Sequence, residues 1–320
     1  MGIVAFLFRE NGLERNFQWQ GRLPDLTEHE LLWLDVQDED HVALNALITA
    51  LPVGDRGRSA LRQEEPGLRH WGDHVRVRVD APVPVPDGKF QVVPVQILAA
   101  RNLVVTFHDA PAPFLEELVE RLHEDSKMGE LDSAAFLAVM LNFHLESFYA
   151  LLSPLEDAID ELDDRVLRHL DRDDLRRLVG LRQRVSDVRR LLGSHRLVYA
   201  GLASPDFTVF QGDQPELLLT RLFKQYEHAY DAIAHTRDMI LGSFDLYMTS
   251  TGQRTNEIMR VLTLATLVLG MLAVVTGVFG TNFENVHIFK SGDAGFRDML
   301  LASGVLALGT VGLARWRRWL

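Results

Sequence analysis

The metal-handling chemistry open to this chain is that of oxygen and imidazole donors, because it has no cysteine and 12 histidines. Thiolate zinc sites, iron–sulfur clusters and thiol nucleophiles are thereby excluded. The richest group of donors is the stretch GVFGTNFENV, Gly277 to Val286, at the end of a long apolar run. There Gly280 offers a backbone carbonyl, Asn282 an amide oxygen and Glu284 a carboxylate, with Thr281 between the first two. Such hard oxygens suit Mg²⁺ and similar hydrated ions. Gly and Asn are equally the usual residues of a helix C-cap, and a lone loop carboxylate is commonly just solvated, so both uses stay open. His287, a little further on, is a second place to meet a softer cation. His70 and His74 flank Trp71 four residues apart, a metal-binding step on a helix, but Gly72 and Pro66-Gly67 point to a loop there. Asp231, Asp238 and Asp245 recur every seven residues, which in an assembly would stack acidic rings and in a lone helix would coat a solvated face. Gly270, Ala273 and Gly277 lie three and four apart on one helical face, either lining a path or letting helices pack closely. No GxxxxGK[ST], GxSxG or HExxH is present. Nucleotide-driven pumping and hydrolysis lack their residues, and the chain is expected not to be an enzyme, with no cofactor and no nucleotide.

These residues sit on elements of two kinds. Val261 to Phe279 passes without a charge, and about 20 such residues is what a helix needs to cross a hydrocarbon core of roughly 30 Å. Met299 to Ala314 is a shorter uncharged run that can use Phe296 and Trp316 as interfacial ends. Two membrane spans are expected. Arg254 and Arg260 precede the first, and Arg315, Arg317 and Arg318 follow the second, whereas the loop between offers Lys290 and Arg297. This bias puts both termini in the cytoplasm and residues 280–298 outside. The apolar run Ile3 to Phe8 stops at Arg9 and Glu10, too short for a signal peptide, and reads as a buried strand. The net charge of -12 argues against nucleic acid as a partner.

The part ahead of the spans changes texture near Pro113. Before it, IVAFLF, LLWLDV, HVRVRVD, FQVVPVQIL and NLVVTFH read as strands, separated by Gly, Pro and Asp clusters at Pro52–Gly57 and Ala81–Gly88, with one helix after Asp35. After it come amphipathic helices, Phe114–Glu124, Asp132–Leu152, Pro154–His169 opening on a capping Ser153, and Asp173 to about His195. A last helix should start near Asp213 with Pro215 in its first turn and run unbroken into the first span, a rod of roughly 95 Å. The expected organisation is an α/β domain over 1–112, helical arms over 113–212, a stalk helix over 213–260 and a first span over 261–279. The loop 280–298, a second span over 299–314 and a basic tail over 315–320 complete it.

NEIMRVLT, the charge-free run, its end at Gly-Thr-Asn-Phe-Glu, a loop of under twenty residues, the second span and the closing RRWL resemble the CorA family, as does DMILGSFDLYMTSTGQRTNE on the stalk. Members are two-span divalent-cation transporters with a Gly-Met-Asn signature. The resemblance implies an α+β membrane protein assembled as a funnel-shaped homopentamer in the inner membrane, an N-terminal α/β/α domain leading through a long stalk into the pore helix. It implies an ion entrance at Gly280, Thr281, Asn282 and Glu284, with Asn282 meeting the hydrated cation. Asn256 would form a polar ring at the inner mouth, Met259 and Leu262 a hydrophobic constriction, and Gly270, Ala273 and Gly277 the outer pore. Partners are then divalent cations, the lipid bilayer and copies of the chain itself. Thr281 stands where the signature has Met, and the zinc-transporting branch typified by ZntB also departs there. The cargo implied is Mg²⁺, with Co²⁺ or Ni²⁺ possible, or else Zn²⁺. The segment LLTRLFKQYE carries Arg221 and Lys224 where the family's Mg²⁺-sensing acids are expected. A membrane-anchored scaffold that conducts nothing is the reading from another class.

Overall fold

The computed structural model describes residues 2–9, 12–15, 17–18, 24, 26–27, 29–37, 65–86, 89–122, 132–168, 171–207, 209, 213–280 and 293–317. Its strands are β1 (Gly2–Arg9), β2 (Gly12–Arg15), β3 (Leu31–Gln37), β4 (Gly67–Trp71), β5 (His74–Val85), β6 (Lys89–Ala100) and β7 (Leu103–His108). The helices are α1 (Pro113–Arg121), α2 (Ser133–Arg168), α3 (Arg172–Ser194), α4 (Arg196–Leu202), α5 (Asp213–Phe279) and α6 (Asp293–Trp316). They form two compact units, Met1–Asp164 with Arg172–Ser243, and Arg165–Asp171 with Phe244–Leu320.

In the first unit the strands make one mixed sheet in the order β2-β1-β3-β7-β6-β5-β4, with β3 and β7 parallel and the other neighbours antiparallel. Side chains alternate between its faces. Ala5 and Leu7 join Leu32, Leu34, Val36, Leu98 and Val105 in one apolar layer. Phe6 and Phe8 point the other way, where Phe6 stacks on Trp33 at 4.7 Å and Phe136 of α2 packs against both Phe8 and Trp33. The Trp33 indole donates to Thr106 Oγ1 across the parallel pair at 3.1 Å. The fold is thus α+β as expected; the helix expected after Asp35 lies outside the described residues.

Several local expectations are corrected. The cluster Ala81–Gly88 was expected to separate strands, yet β5 runs on to Val85 and pairs with β6. Pro82 and Pro84, two apart, put both ring nitrogens on the same side of β5, and β4 pairs only as far as Arg78, so that edge demands no donor from them. His70 and His74 sit on neither a helix nor a loose loop. They belong to a tight hairpin turned at Gly72, whose φ of 58 is left-handed. Trp71 pairs with His74 and stacks on it, while His70 faces the opposite side against Phe207, so the two imidazoles cannot share a metal. Asp132 caps α2, accepting from the Ala135 N–H at 2.8 Å. That helix does not stop at Leu152: Ser153 is internal rather than a cap, and α2 continues through Pro154 to Arg168. Proline removes one helical hydrogen bond, but the buried stripe Leu151, Leu152, Leu155, Ile159 and Leu162 carries the helix past it. α1 ends at Arg121, short of Glu124, because Leu122 turns extended with its side chain wholly buried.

A polar clamp joins the arms to the sheet. Asp80 of β5 donates its N–H to His195 Nε2 at 2.8 Å, and His144 Nε2 of α2 donates to the Asp80 carbonyl at 3.2 Å. Tyr199 of α4 donates its hydroxyl to His144 Nδ1 at 2.7 Å. Burial keeps both imidazoles neutral, pulling His195 down to about 4 and His144 well below its ordinary value. Two strands away in the same sheet, His108 of β7 sits within 3.2 Å of Asp35 and 2.7 Å of the Ala110 carbonyl. Burial opposes its charge, but the Asp35 hydrogen bond and carboxylate outweigh it and raise its pKa. Along the start of α5, Tyr226 stacks on Tyr199 and donates to the Leu192 carbonyl, and Thr236 donates to Glu156 of α2 at 2.7 Å.

Candidate functional site

Among the described residues, three helices are long and apolar enough to cross a membrane. The apolar window of α2 is largely buried in the first unit, so that helix is core. The windows of α5 and α6 are open to the surroundings in the single chain, as lipid-covered spans must be. α5 runs as one helix from Asp213 to Phe279, joining the expected stalk to the expected first span, and α6 runs from Asp293 to Trp316, longer at both ends than the uncharged run alone.

Hydroxyls in the span need partners within it, because hydrocarbon supplies none. Thr263 donates to the Met259 carbonyl at 2.7 Å, Thr266 to Leu262 at 2.8 Å and Thr276 to Leu272 at 3.0 Å. This back-bonding makes threonine acceptable on any face of the helix.

The two sides of the span differ. Leu264, Val268, Met271, Leu272, Val275 and Phe279 are half-covered and recur at helical spacing. Met299, Ala302, Ser303, Ala307, Thr310 and Ala314 form the matching covered stripe of α6. Two spans lying side by side leave this pattern. On the opposite side of α5, Met259, Leu262, Gly270, Ala273 and Gly277 are all exposed and share one face, whereas Asn256, also exposed, stands about 75° away from it. A Cβ placed at Gly270 or Gly277 would meet nothing within 4 Å, so close packing inside one protomer is not their purpose. Gly280 donates its N–H to the Thr276 carbonyl at 2.9 Å and is not left-handed, so it extends the helical pattern instead of capping it.

Thr281, Asn282, Glu284 and His287 lie outside the described residues. Asp231, Asp238 and Asp245 are exposed on α5. Among the described residues no group of three or more His, Asp or Glu side chains is placed to hold a metal. Sequence reasoning passed over Thr266, which falls seven residues after Met259 and seven before Ala273. It also missed the buried His144–His195 clamp, whose members are separated by the whole length of the arms.

Residues 28–316 match the family described as CorA-like Mg2+ transporter protein. The chain belongs to this CorA-like family. It is 24% identical over 234 residues to the cobalt/magnesium transport protein CorA of Thermotoga maritima, a match spanning 71% of this chain and 64% of that protein. The complete structure of the CorA magnesium transporter from Methanocaldococcus jannaschii superposes with a TM-score of 0.71 at 20% identity, covering 99% of this chain and 98% of that one. The cytoplasmic domain of ZntB from Vibrio parahaemolyticus superposes with a TM-score of 0.56 at 12% identity, over 79% of this chain and 97% of that domain. The description of the family names a transporter rather than an enzyme.

Proposed function

We propose that this chain is the subunit of a passive divalent-cation channel of the inner membrane, with Mg²⁺ as its first cargo. The observation that carries the reading is the open face of α5, a small-residue stripe pointing away from α6 and leading to Gly280. Two spans enclose no path, so several copies must bring these faces together around an axis, and a homopentamer is the assembly proposed. In it Asn282 and the Gly280 carbonyl hold the hydrated ion at the outer entrance, Thr281 and Glu284 border it, and Asn256 receives it inside. Met259 and Leu262 close the path by excluding water. A divalent ion moving down 100 mV gains roughly 4.6 kcal/mol, so no nucleotide is required. Both termini lie in the cytoplasm, as the Arg315, Arg317 and Arg318 tail favours. Mg²⁺ is supported by the names of the CorA relatives, and Zn²⁺ is the second reading because Thr281 departs from the signature.

The test is influx into proteoliposomes of the full-length protein, followed with Mg²⁺- and Zn²⁺-sensitive dyes in parallel. Mg²⁺ entry that Asn282→Ala abolishes supports the proposal; Zn²⁺ entry alone moves the cargo to zinc. No flux of either ion in an intact assembly sinks the channel in favour of a scaffold.

A further inference from the structure

We infer that Thr266 forms a ring of obligate hydrogen-bond acceptors midway along the ion path, between the Met259–Leu262 constriction and the small-residue stripe above it. This rests on the channel reading. At about 100° per residue, Thr266 lies within about 10° of the mean direction of Met259, Leu262, Gly270, Ala273 and Gly277, closer to that mean than Thr263. Thr276 points about 90° away from it. Thr266 is exposed in the single chain and diametrically opposite the covered stripe of Leu264, Val268, Met271 and Val275.

Its hydrogen bond decides what it can offer. A hydroxyl has one proton to give and two lone pairs to accept with. The Thr266 proton goes to the Leu262 carbonyl at 2.8 Å, so the oxygen turned toward the axis can only accept. A hydrated divalent cation presents the complementary surface, a shell of water hydrogens sharpened by the charge at its centre. An accepting ring lets the ion keep its water while leaving the dry constriction. A donating group at the same place would oppose those hydrogens, and an apolar one would extend the dry zone by a further helical turn. Thr276 makes the same type of back-bond, to Leu272 at 3.0 Å, but points off the stripe, which makes it an internal control.

The experiment is Mg²⁺ and Zn²⁺ influx into proteoliposomes of the full-length protein and of Thr266→Val, Thr266→Ala, Thr266→Ser, Thr276→Val and Asn282→Ala, each checked for wild-type assembly size. Valine keeps the shape and removes the hydroxyl; serine keeps the hydroxyl. Expected is a fall of about tenfold in both Thr266→Val and Thr266→Ala, the scale set by losing an acceptor for a strongly polarised water. Thr266→Ser should restore flux, and Thr276→Val should match wild type. Wild-type flux that is lost in Asn282→Ala but unchanged in Thr266→Val and Thr266→Ala overturns the ring and leaves the channel standing. So does an equal loss in Thr276→Val, which would mean that the back-bond itself matters. A wild type that conducts neither ion overturns the channel and the ring together.

Discussion

Three buried histidines give the first unit of this chain a stability that depends on pH from both sides. His144 and His195 bind protons more weakly in the folded chain than in the unfolded one, because burial removes the water that would solvate their charge. As pH falls below about 6.5 the unfolded chain therefore takes up protons first, and stability declines until the folded values are reached. For His195, pulled to about 4, the loss is up to about 3 kcal/mol. His108 has the opposite sign. Its folded pKa is raised, so its contribution is complete below about 6.5 and disappears as pH rises through that raised value. Melting temperature of the solubilised protein should then pass through a maximum between these limbs. His195→Gln, which keeps an acceptor for the Asp80 N–H, should flatten the acid limb, and His108→Gln the alkaline one. Unchanged slopes would refute both networks.

At the scale of elements, the long helix α5 is tied to α2 by one conspicuous polar contact. Thr236 is wholly buried and donates to Glu156, whose carboxylate is only partly in water. Thr236→Val keeps the volume and removes the donor, so it should cost about 1 kcal/mol, read as a lower denaturant midpoint with an unchanged slope. A larger change in slope would mean that α2 and α5 part before the sheet unfolds. In the second unit the open face of α5 makes a different prediction. Nothing in the protomer would touch a Cβ at Gly270, so Gly270→Leu should leave the fold alone and reduce ion influx by about tenfold by narrowing the path. If flux stays at wild-type level in an intact assembly, Gly270 faces lipid.

At the scale of the whole molecule, an assembly must supply what one chain lacks. A single copy exposes Met259, Leu262 and the Gly270–Gly277 stripe together with Leu267, Leu269 and Val274, and lipid can satisfy the large apolar residues but gives the glycines no purpose. Native mass measurement of the detergent-extracted protein should find five copies. A monomer would remove the path altogether. Asp231, Asp238 and Asp245 belong to the same seven-residue series as Met259, Thr266 and Ala273.

The sequence by itself determined the features whose cause lies in consecutive residues. A charge-free run of about 20 residues is long enough to cross a hydrocarbon core, and the lack of proline after Pro215 lets the helix reach Phe279. Five of the seven strands among the described residues were readable as β-branched runs for the same reason. The family resemblance was readable too, from GTNFE and NEIMRVLT. Only the tertiary structure decided what depends on a partner distant in the chain. GLER and GLRHW carry little strand signal and become β2 and β4 because a neighbouring strand pairs with them. Pro154 stays inside a helix because that helix is held along its buried stripe. Asp80 and His195 meet across 115 positions, a contact no local pattern could announce. That Gly270, Ala273 and Gly277 lie on the open side of α5, opposite its half-covered residues, was likewise visible only in three dimensions.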